Sequence, residues 1–295
     1  MPLLYDPGDE ITPLLTGASI AGALRNYLRE YEKGFGWGEK PDKKEKSLAE
    51  KLFGHLSDWD PKKDEERKST VQSWLMIDDA FGKLPQKGDI EIRDGVEIDP
   101  ATRTAKVNEE GKGNKFDIEL LPAGTSFEVS FEVWLQEKNR AELLTGLAIA
   151  LEGLQNGAIG LGMRKRRGYG ACKAGNWRVQ RYHYQKDAIE QVIGWLEHQP
   201  VNVTTGNNDI FTALFGEEEP VQVEHQSTAF TMEATFGLDS PLLIRSTIGG
   251  ADTVDMVHLR SWRNGQFVPV VSGTSLAGVI RHRALRIANT LKPED

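Results

Sequence analysis

Two segments of the chain, separated by a constant 256 residues, repeat one another without a gap. Residues 13–25 read PLLTGASIAGALR and residues 269–281 read PVVSGTSLAGVIR, with identity at six of thirteen positions and conservative exchanges at the others. A match of this quality is improbable by chance. The chain is therefore expected to build the same local structure twice, which constrains its fold more than any other feature.

Each copy predicts a short apolar strand that turns at a glycine into a helix. Gly17 and Gly273 supply the turn, and apolar residues then continue at helical spacing. Gly22 and Gly278 lie inside the predicted helices, where glycine lowers stability, so we expect a neighbouring backbone to approach closely there.

Polar residues at the start of each predicted helix are suited to an anion. Ser19 and Ser275 follow the turn, where a hydroxyl can cap free N–H groups, and Arg25 and Arg281 lie about two turns into the helix. A helix N-terminus favours phosphate because its N–H groups are unpaired. A single copy would favour an ordinary packing role, whereas two copies favour a repeated function.

Taken as a sum, the net charge of −8 argues against a nucleic-acid ligand. The distribution of the charges along the chain changes this interpretation. No acidic residue lies between Glu152 and Asp187, or between Asp255 and Glu294. Charges act over about one Debye length, ~8–10 Å. The chain can therefore present two basic surfaces, although solvated faces without a ligand are the alternative. The cations of these stretches are Arg164, Lys165, Arg166, Arg167, Lys173, Arg178, Arg181 and Lys186, then Arg260, Arg263, Arg281, Arg283, Arg286 and Lys292.

A glycine-rich basic loop covers residues 160–170, GLGMRKRRGYG. It follows a predicted helix rather than a strand and matches neither a dinucleotide fingerprint nor a Walker motif. Glycines let a backbone approach a ligand closely. Phosphates can be bound by the four consecutive cations Arg164, Lys165, Arg166 and Arg167. Tyr169 can stack on a base. The loop predicts a phosphate-backbone site, with a mobile basic hairpin as the alternative.

The order of predicted elements, strand–helix–strands–helix–strand, indicates a ferredoxin-like α+β domain. We expect a domain over 1–198, a linker over 199–227 and a second, partial copy over 228–295. The second copy stops after its first helix, which suggests a segment of a longer polypeptide. Alternatively, a strand over 228–238 completes the first copy's sheet. Helices are expected at 18–32, 46–53, 140–154, 185–197 and 275–291, and strands at 71–77, 127–135, 171–181 and 228–238.

Composition narrows the cellular context. Cys172 is the single cysteine, so no internal disulfide forms and a reducing cytoplasm fits best. No apolar run approaches the ~18 residues of a membrane span. The N-terminus lacks the pattern of a signal peptide.

The repeated segments and the basic loop resemble the RAMP superfamily of CRISPR-associated proteins. That family carries a Pro-Gly-Ser-Ser-Leu-Lys-Gly type segment after its first strand, which resembles 17–25 and 273–281. It also carries a glycine-rich basic loop near its end, which resembles 160–170. The resemblance implies a ferredoxin-like (RRM-like) domain with inserted hairpins, lacking its first strand, followed by the start of a second repeat. Supporting similarities lie at Leu52–Gly54, Asp78–Ala80, 93–105 and 116–127.

The whole order of these segments resembles the backbone subunits of type III effector complexes, which implies an antiviral role with guide RNA (crRNA), target RNA and other effector subunits as partners. It also implies a thumb hairpin, which corresponds loosely to residues 83–125. By resemblance, the guide-RNA backbone is held by Gly17, Ser19, Arg25, Arg164, Lys165, Arg166, Arg167, Tyr169, Gly273, Ser275 and Arg281.

Many such subunits cleave target RNA with one loop aspartate and a divalent metal. Asp255 matches that position best, with Asp252 second, and the resemblance makes Asp255 the candidate contact for Mg²⁺ or Mn²⁺. Two alternatives stay open: a catalytically silent crRNA-binding scaffold, and a metal-independent endonuclease for repeat RNA that uses His258 or His282.

Overall fold

The chain folds as a mixed α and β protein whose assigned strand pairs are all antiparallel. This agrees with the α+β class expected from the sequence. The structure is a computed structural model that describes residues 3–35, 46–55, 71–86, 88–99, 102, 104–108, 113, 115–183, 189–199, 203–226, 231–246 and 257–292. Its helices are α1 Gly17–Lys33, α2 Leu48–Phe53, α3 Arg140–Gln155, α4 Ile189–Leu196, α5 Ile210–Phe215 and α6 Gly273–Leu291.

The strands are short and pair mostly in twos, apart from a three-stranded sheet of order β1-β3-β6. The other pairs are β2–β7, β4–β5, β8–β9, β10–β11 and β12–β13. The strands are β1 Leu14–Leu15, β2 Leu75–Ile77, β3 Ala80–Lys83, β4 Glu91–Val96, β5 Lys115–Leu120, β6 Ser126–Phe127, β7 Phe131–Val133, β8 Trp177–Val179, β9 Thr204–Asn207, β10 Arg245–Ser246, β11 Val257–His258, β12 Arg260–Arg263 and β13 Gln266–Pro269.

Helix α3 is the centre of the hydrophobic core. Nearly every residue from Leu143 to Leu154 is buried, as expected for a helix that is apolar all round. Helices α1, α2 and α5 pack around it and contribute Leu28, Leu52 and Ile210, each no more than 1% exposed. The predicted helices at α1, α2 and α3 are confirmed within one or two residues.

The interval expected as a linker, 199–227, contains strand β9 and helix α5, which pack on the first copy. Gln155 at the end of α3 accepts hydrogen bonds from the Trp177 indole at 2.9 Å and from the Ile210 N–H at 2.8 Å. The buried Thr145 hydroxyl accepts from the Val221 N–H at 3.0 Å. This part of the chain is therefore anchored to α3, while the proposed domain boundaries stay a prediction.

Several predicted strands are shorter than expected or are not formed. The strand predicted over 171–181 is limited to Trp177–Val179, and that over 127–135 is split into β6 and β7. A strand was predicted over 228–238. Its described part, residues 231–238, pairs with no other strand, so the prediction is wrong there. Alternating hydrophobicity makes a strand only where a neighbouring edge accepts its backbone hydrogen bonds.

A buried cluster joins the β4–β5 hairpin of the first copy to the β12–β13 hairpin of the second. Both oxygens of Glu91 are used: Oε2 accepts from Arg93 Nη2 at 2.7 Å, and Oε1 accepts from the Ser261 hydroxyl at 3.1 Å and the Trp262 N–H at 2.8 Å. The side chains of Arg93 and Glu91 are only 10% and 8% exposed. This carboxylate therefore fixes the two hairpins against each other.

Replacing Glu91 with alanine should lower the free energy of unfolding by about 3 kcal/mol or more, because Arg93 is left buried without its counter-charge. The matched control is Glu128→Ala, which removes an ion pair to Lys83 whose side chains are 78% and 93% exposed. That change should cost less than about 1 kcal/mol. Urea unfolding of the three proteins measures both values, and equal losses in the two variants would contradict the assigned role of Glu91.

Candidate nucleic-acid interface

Helix α1 begins against the turn between β2 and β3. A Cβ atom on Gly17 would lie 2.0 Å from the carbonyl oxygen of Ile77, so only glycine permits this approach. The cap is Thr16, whose side chain accepts from the Ser19 N–H. Ser19 was expected to cap the helix itself; instead it lies in the first turn, and its hydroxyl is 2.8 Å from that of Thr16.

A carboxylate of the protein lies at the start of α1. The Gly17 N–H donates to Asp79 Oδ1 at 2.8 Å, where the helix dipole favours negative charge. Sequence reasoning noted Asp79 only as part of a supporting similarity and missed this role. The available signal was a pair of acids directly after a predicted strand, but the contact of Asp79 with Gly17, 62 residues earlier, is not visible in the sequence.

Helix α6 begins in the same way but against a different neighbour. Its cap is Ser272, whose side chain accepts from the Ser275 N–H at 3.2 Å. A Cβ atom on Gly273 would lie 2.4 Å from the carbonyl oxygen of Arg167. The second repeated segment therefore packs directly on the glycine-rich basic loop.

The glycine-rich loop is a tight hairpin. Gly160 and Ala171 form an antiparallel bridge, and the Leu161 N–H donates to the Gly170 carbonyl at 2.9 Å. Gly170 has φ +74°, and a Cβ there would lie 1.8 Å from the Leu161 carbonyl oxygen. At the tip, Lys165–Arg167 form a short 3-10 helix. The chain geometry thus holds the four consecutive cations on one turn.

Two of these cations stack on aromatic rings. The guanidinium carbon of Arg164 lies 4.7 Å from the centroid of the Phe116 ring, and that of Arg166 lies 5.6 Å from the centroid of Phe35. Such contacts are worth about 0.5–1 kcal/mol at exposed sites and leave the positive charge in place. Phe116 is itself fixed across Gly95 on the paired strand of the β4–β5 hairpin.

The remaining cations of the loop, Lys165 and Arg167, are exposed, and the structure shows no ion pair for either among the residues it describes. Tyr169 is half-buried beside them. At the base of the loop, burial raises the pKa of the Cys172 thiol, which lowers its reactivity. The loop therefore offers positive charge and an aromatic ring.

The two arginines within the repeated helices have different surroundings. Arg281 is exposed on α6, whereas Arg25 is half-buried on α1 with a buried Nε that has no hydrogen-bond partner among the described atoms. The expected close backbone approach at Gly22 and Gly278 is not formed. A Cβ at either position would meet no described atom within 4 Å, so both glycines face open space.

The candidate catalytic residues Asp255 and Asp252 lie outside the described residues. His258, on β11, is tied into the fold, because its Nδ1 accepts from the Ile244 N–H at 3.2 Å. Within the described ranges, no group of three or more His, Cys, Asp or Glu side chains is placed to hold a metal ion. None of the helices in the described part of the chain has the length and apolar character to cross a membrane.

Comparison with protein families gives one match. A family model described as the RAMP superfamily matches residues 9–173, which is more than half of the 295 residues. The matched region includes α1, α3 and the glycine-rich loop. Comparison with curated protein sequences gives no match.

The contact between α6 and the loop can be tested by proteolysis. Gly273→Ala forces the Arg167 backbone to move, because the new Cβ would overlap its carbonyl group. We expect trypsin to cleave after residues 164–167 several-fold faster, since a displaced loop fits a protease more easily. Gly278→Ala is the matched control and should leave cleavage unchanged while raising helix stability by up to ~1 kcal/mol. Equal cleavage rates in both variants would contradict the contact.

Proposed function

The chain belongs to the RAMP superfamily of CRISPR-associated proteins, whose members bind RNA, and we propose that it is a crRNA-binding backbone subunit of a type III effector complex. In this role it works in the cytoplasm in antiviral defence, with target RNA and other effector subunits as partners. The observation that carries the proposal is the packing of the second repeated segment, at Gly273, onto the basic loop at Arg167. Two features that the sequence singled out separately for phosphate thus form one surface.

Charge distinguishes the two helix starts as RNA sites. At α1 the Gly17 N–H is bound to the carboxylate of Asp79, which opposes a phosphate at that atom. At α6, no described side chain accepts from the Gly273 N–H, and the neighbouring loop is cationic. We therefore assign the main phosphate contact to the α6 start and the loop, and a secondary contact to the exposed Ser19 and to Arg25.

The proposed subunit has a ferredoxin-like core with inserted hairpins. The antiparallel strands and the packing of α1 and α3 support this assignment. The β4–β5 hairpin is the proposed thumb that displaces bases of the guide. Its connection to the RNA surface is direct, because Phe116 on β5 lies under the guanidinium of Arg164.

Target cleavage is the second part of the proposal. Asp255, with Asp252 as the alternative, would recruit a divalent metal through water and RNA phosphate oxygens. The metal would stabilise charge that develops on the cleaved phosphate. In the metal-independent alternative His258 would act through Nε2, because its Nδ1 already accepts a hydrogen bond from the Ile244 N–H. The silent scaffold remains the competing function.

Removing two loop charges should weaken RNA binding. For Lys165→Ala/Arg167→Ala we expect at least a ~10-fold loss of affinity for single-stranded RNA, and a fall of about 1.4 in the slope of log affinity against log salt, since each lost phosphate contact contributes ~0.7. Lys83→Ala/Lys106→Ala changes the net charge equally at cations paired with Glu128 and Glu97. Equal losses in the two double variants would contradict a local site.

Cleavage is tested on the guide-loaded complex with a complementary RNA. Asp255→Asn should abolish metal-dependent cleavage while guide binding is retained, because the amide loses the charge that attracts the metal. Asp252→Asn should then cut at the wild-type rate. Unchanged cleavage in both single variants and in the double variant would contradict the catalytic assignment. Absence of cleavage by the wild-type complex would favour the silent scaffold.

A further inference from the structure

Helix α6 carries an apolar stripe that faces solvent. Leu276, Val279, Ile280, Ile287 and Leu291 recur at helical spacing along one side and are 43–76% exposed. No residue of α6 is buried. A contiguous exposed stripe of this kind marks an interaction surface more often than isolated apolar residues do.

The internal repeat shows what the same face does in the first copy. At the constant offset of 256 residues, Leu276 corresponds to Ile20 and Ile280 corresponds to Leu24. Ile20 is 1% exposed and Leu24 is fully buried. The same sequence pattern is therefore a core face in α1 and an open face in α6.

In the first copy the face of α1 is covered by helices α2 and α3. Leu48 and Leu52 of α2, with Leu143 and Leu147 of α3, lie in the same buried cluster as the α1 residues. Gly146 of α3 makes the approach close, since a Cβ there would be 3.5 Å from Leu28 Cδ2. These helices are already committed to α1 and are not free to cover α6.

We propose that the stripe on α6 docks a partner helix with the chemistry of α3. The partner is an apolar helix from a second RAMP-type helical layer, which the described residues do not supply. The proposal concerns an interaction surface, and it stands whether or not the chain binds or cleaves RNA.

Differences between the two copies define the partner more closely. Leu28 corresponds to the smaller Ala284, so the partner has room for a larger residue where α3 has Gly146. Tyr27 corresponds to Arg283. The Tyr27 ring packs on α3 beside Glu152, because a Cβ on the adjacent Gly153 would lie 2.5 Å from that ring. A carboxylate at the position of Glu152 in the partner would therefore lie near Arg283 of α6.

The test uses the full chain and a fluorescent synthetic peptide of residues 140–155, the sequence of α3, with lysines added at the ends for solubility. Anisotropy titration should show saturable binding. A peptide with the Gly146→Leu change should bind several-fold tighter, because it fills the space above Ala284. Binding should weaken at least tenfold to a chain carrying Ile280→Glu and Ile287→Glu.

Leu285 supplies the matched control. It is 44% exposed but lies on the opposite side of α6 from Leu276, so Leu285→Glu should leave peptide binding unchanged. Because the substituted residues are exposed, thermal melting should show that all variants fold. The Arg283→Glu chain should lose affinity for the parent peptide and regain it for a peptide with Glu152→Lys.

Two results would overturn the proposal. Equal peptide affinity of the stripe variant and the Leu285→Glu variant would show that the peptide binds elsewhere. A homodimer in sedimentation that Ile280→Glu/Ile287→Glu dissociates, and that the peptide does not displace, would show that a second copy is the occupant. Loss of RNA binding bears on neither result, so failure of the RNA proposal and failure of this one are distinguishable.

Discussion

Burial of α3 is the interaction on which the first copy depends. A helix with so few polar positions is stable in water only when other elements cover it, and α1, α2 and α5 do so. Once α1 is seated on α3, its first turn is directed at the strand ends near Ile77, where Gly17 allows contact with backbone. The repeated glycine turn of α1 thus lies where the packing of α1 on α3 places it, and Gly17 permits the close backbone contact there.

The second copy uses the same turn without the core. Gly273 meets the backbone of Arg167 where Gly17 meets that of Ile77, so one local structure packs on two chemically different neighbours. The first is followed by a carboxylate, Asp79, and the second belongs to a run of four cations. The repeat thus duplicates a helix start whose free N–H groups favour negative charge, while the neighbour of each copy is a carboxylate in α1 and a run of cations in α6.

Local periodicity made the long helices predictable, and α1, α3 and α6 begin and end close to the expected residues. The cap was misplaced because a serine in the first turn and a threonine before it are both plausible caps, and only backbone geometry distinguishes Thr16 from Ser19. Strand β9 and the contact of Asp79 with the start of α1 were not predicted, because both depend on residues that are distant in the sequence. Contacts such as that between Glu91 and Ser261, 170 residues apart, leave no periodic signal.

The acidic net charge is compatible with a basic surface because several of the acids are paired with groups of the fold away from the basic loop. Glu91 is buried with Arg93, and Glu32 accepts from the N–H groups that begin α2. The Thr212 hydroxyl and N–H, which bind Asp209 at the start of α5, lower the pKa of that carboxyl. These acids compensate nearby N–H groups and cations, whereas aromatic rings hold Arg164 and Arg166 without neutralising them. The field at the loop is therefore set by its own cations and not by the sum over the chain.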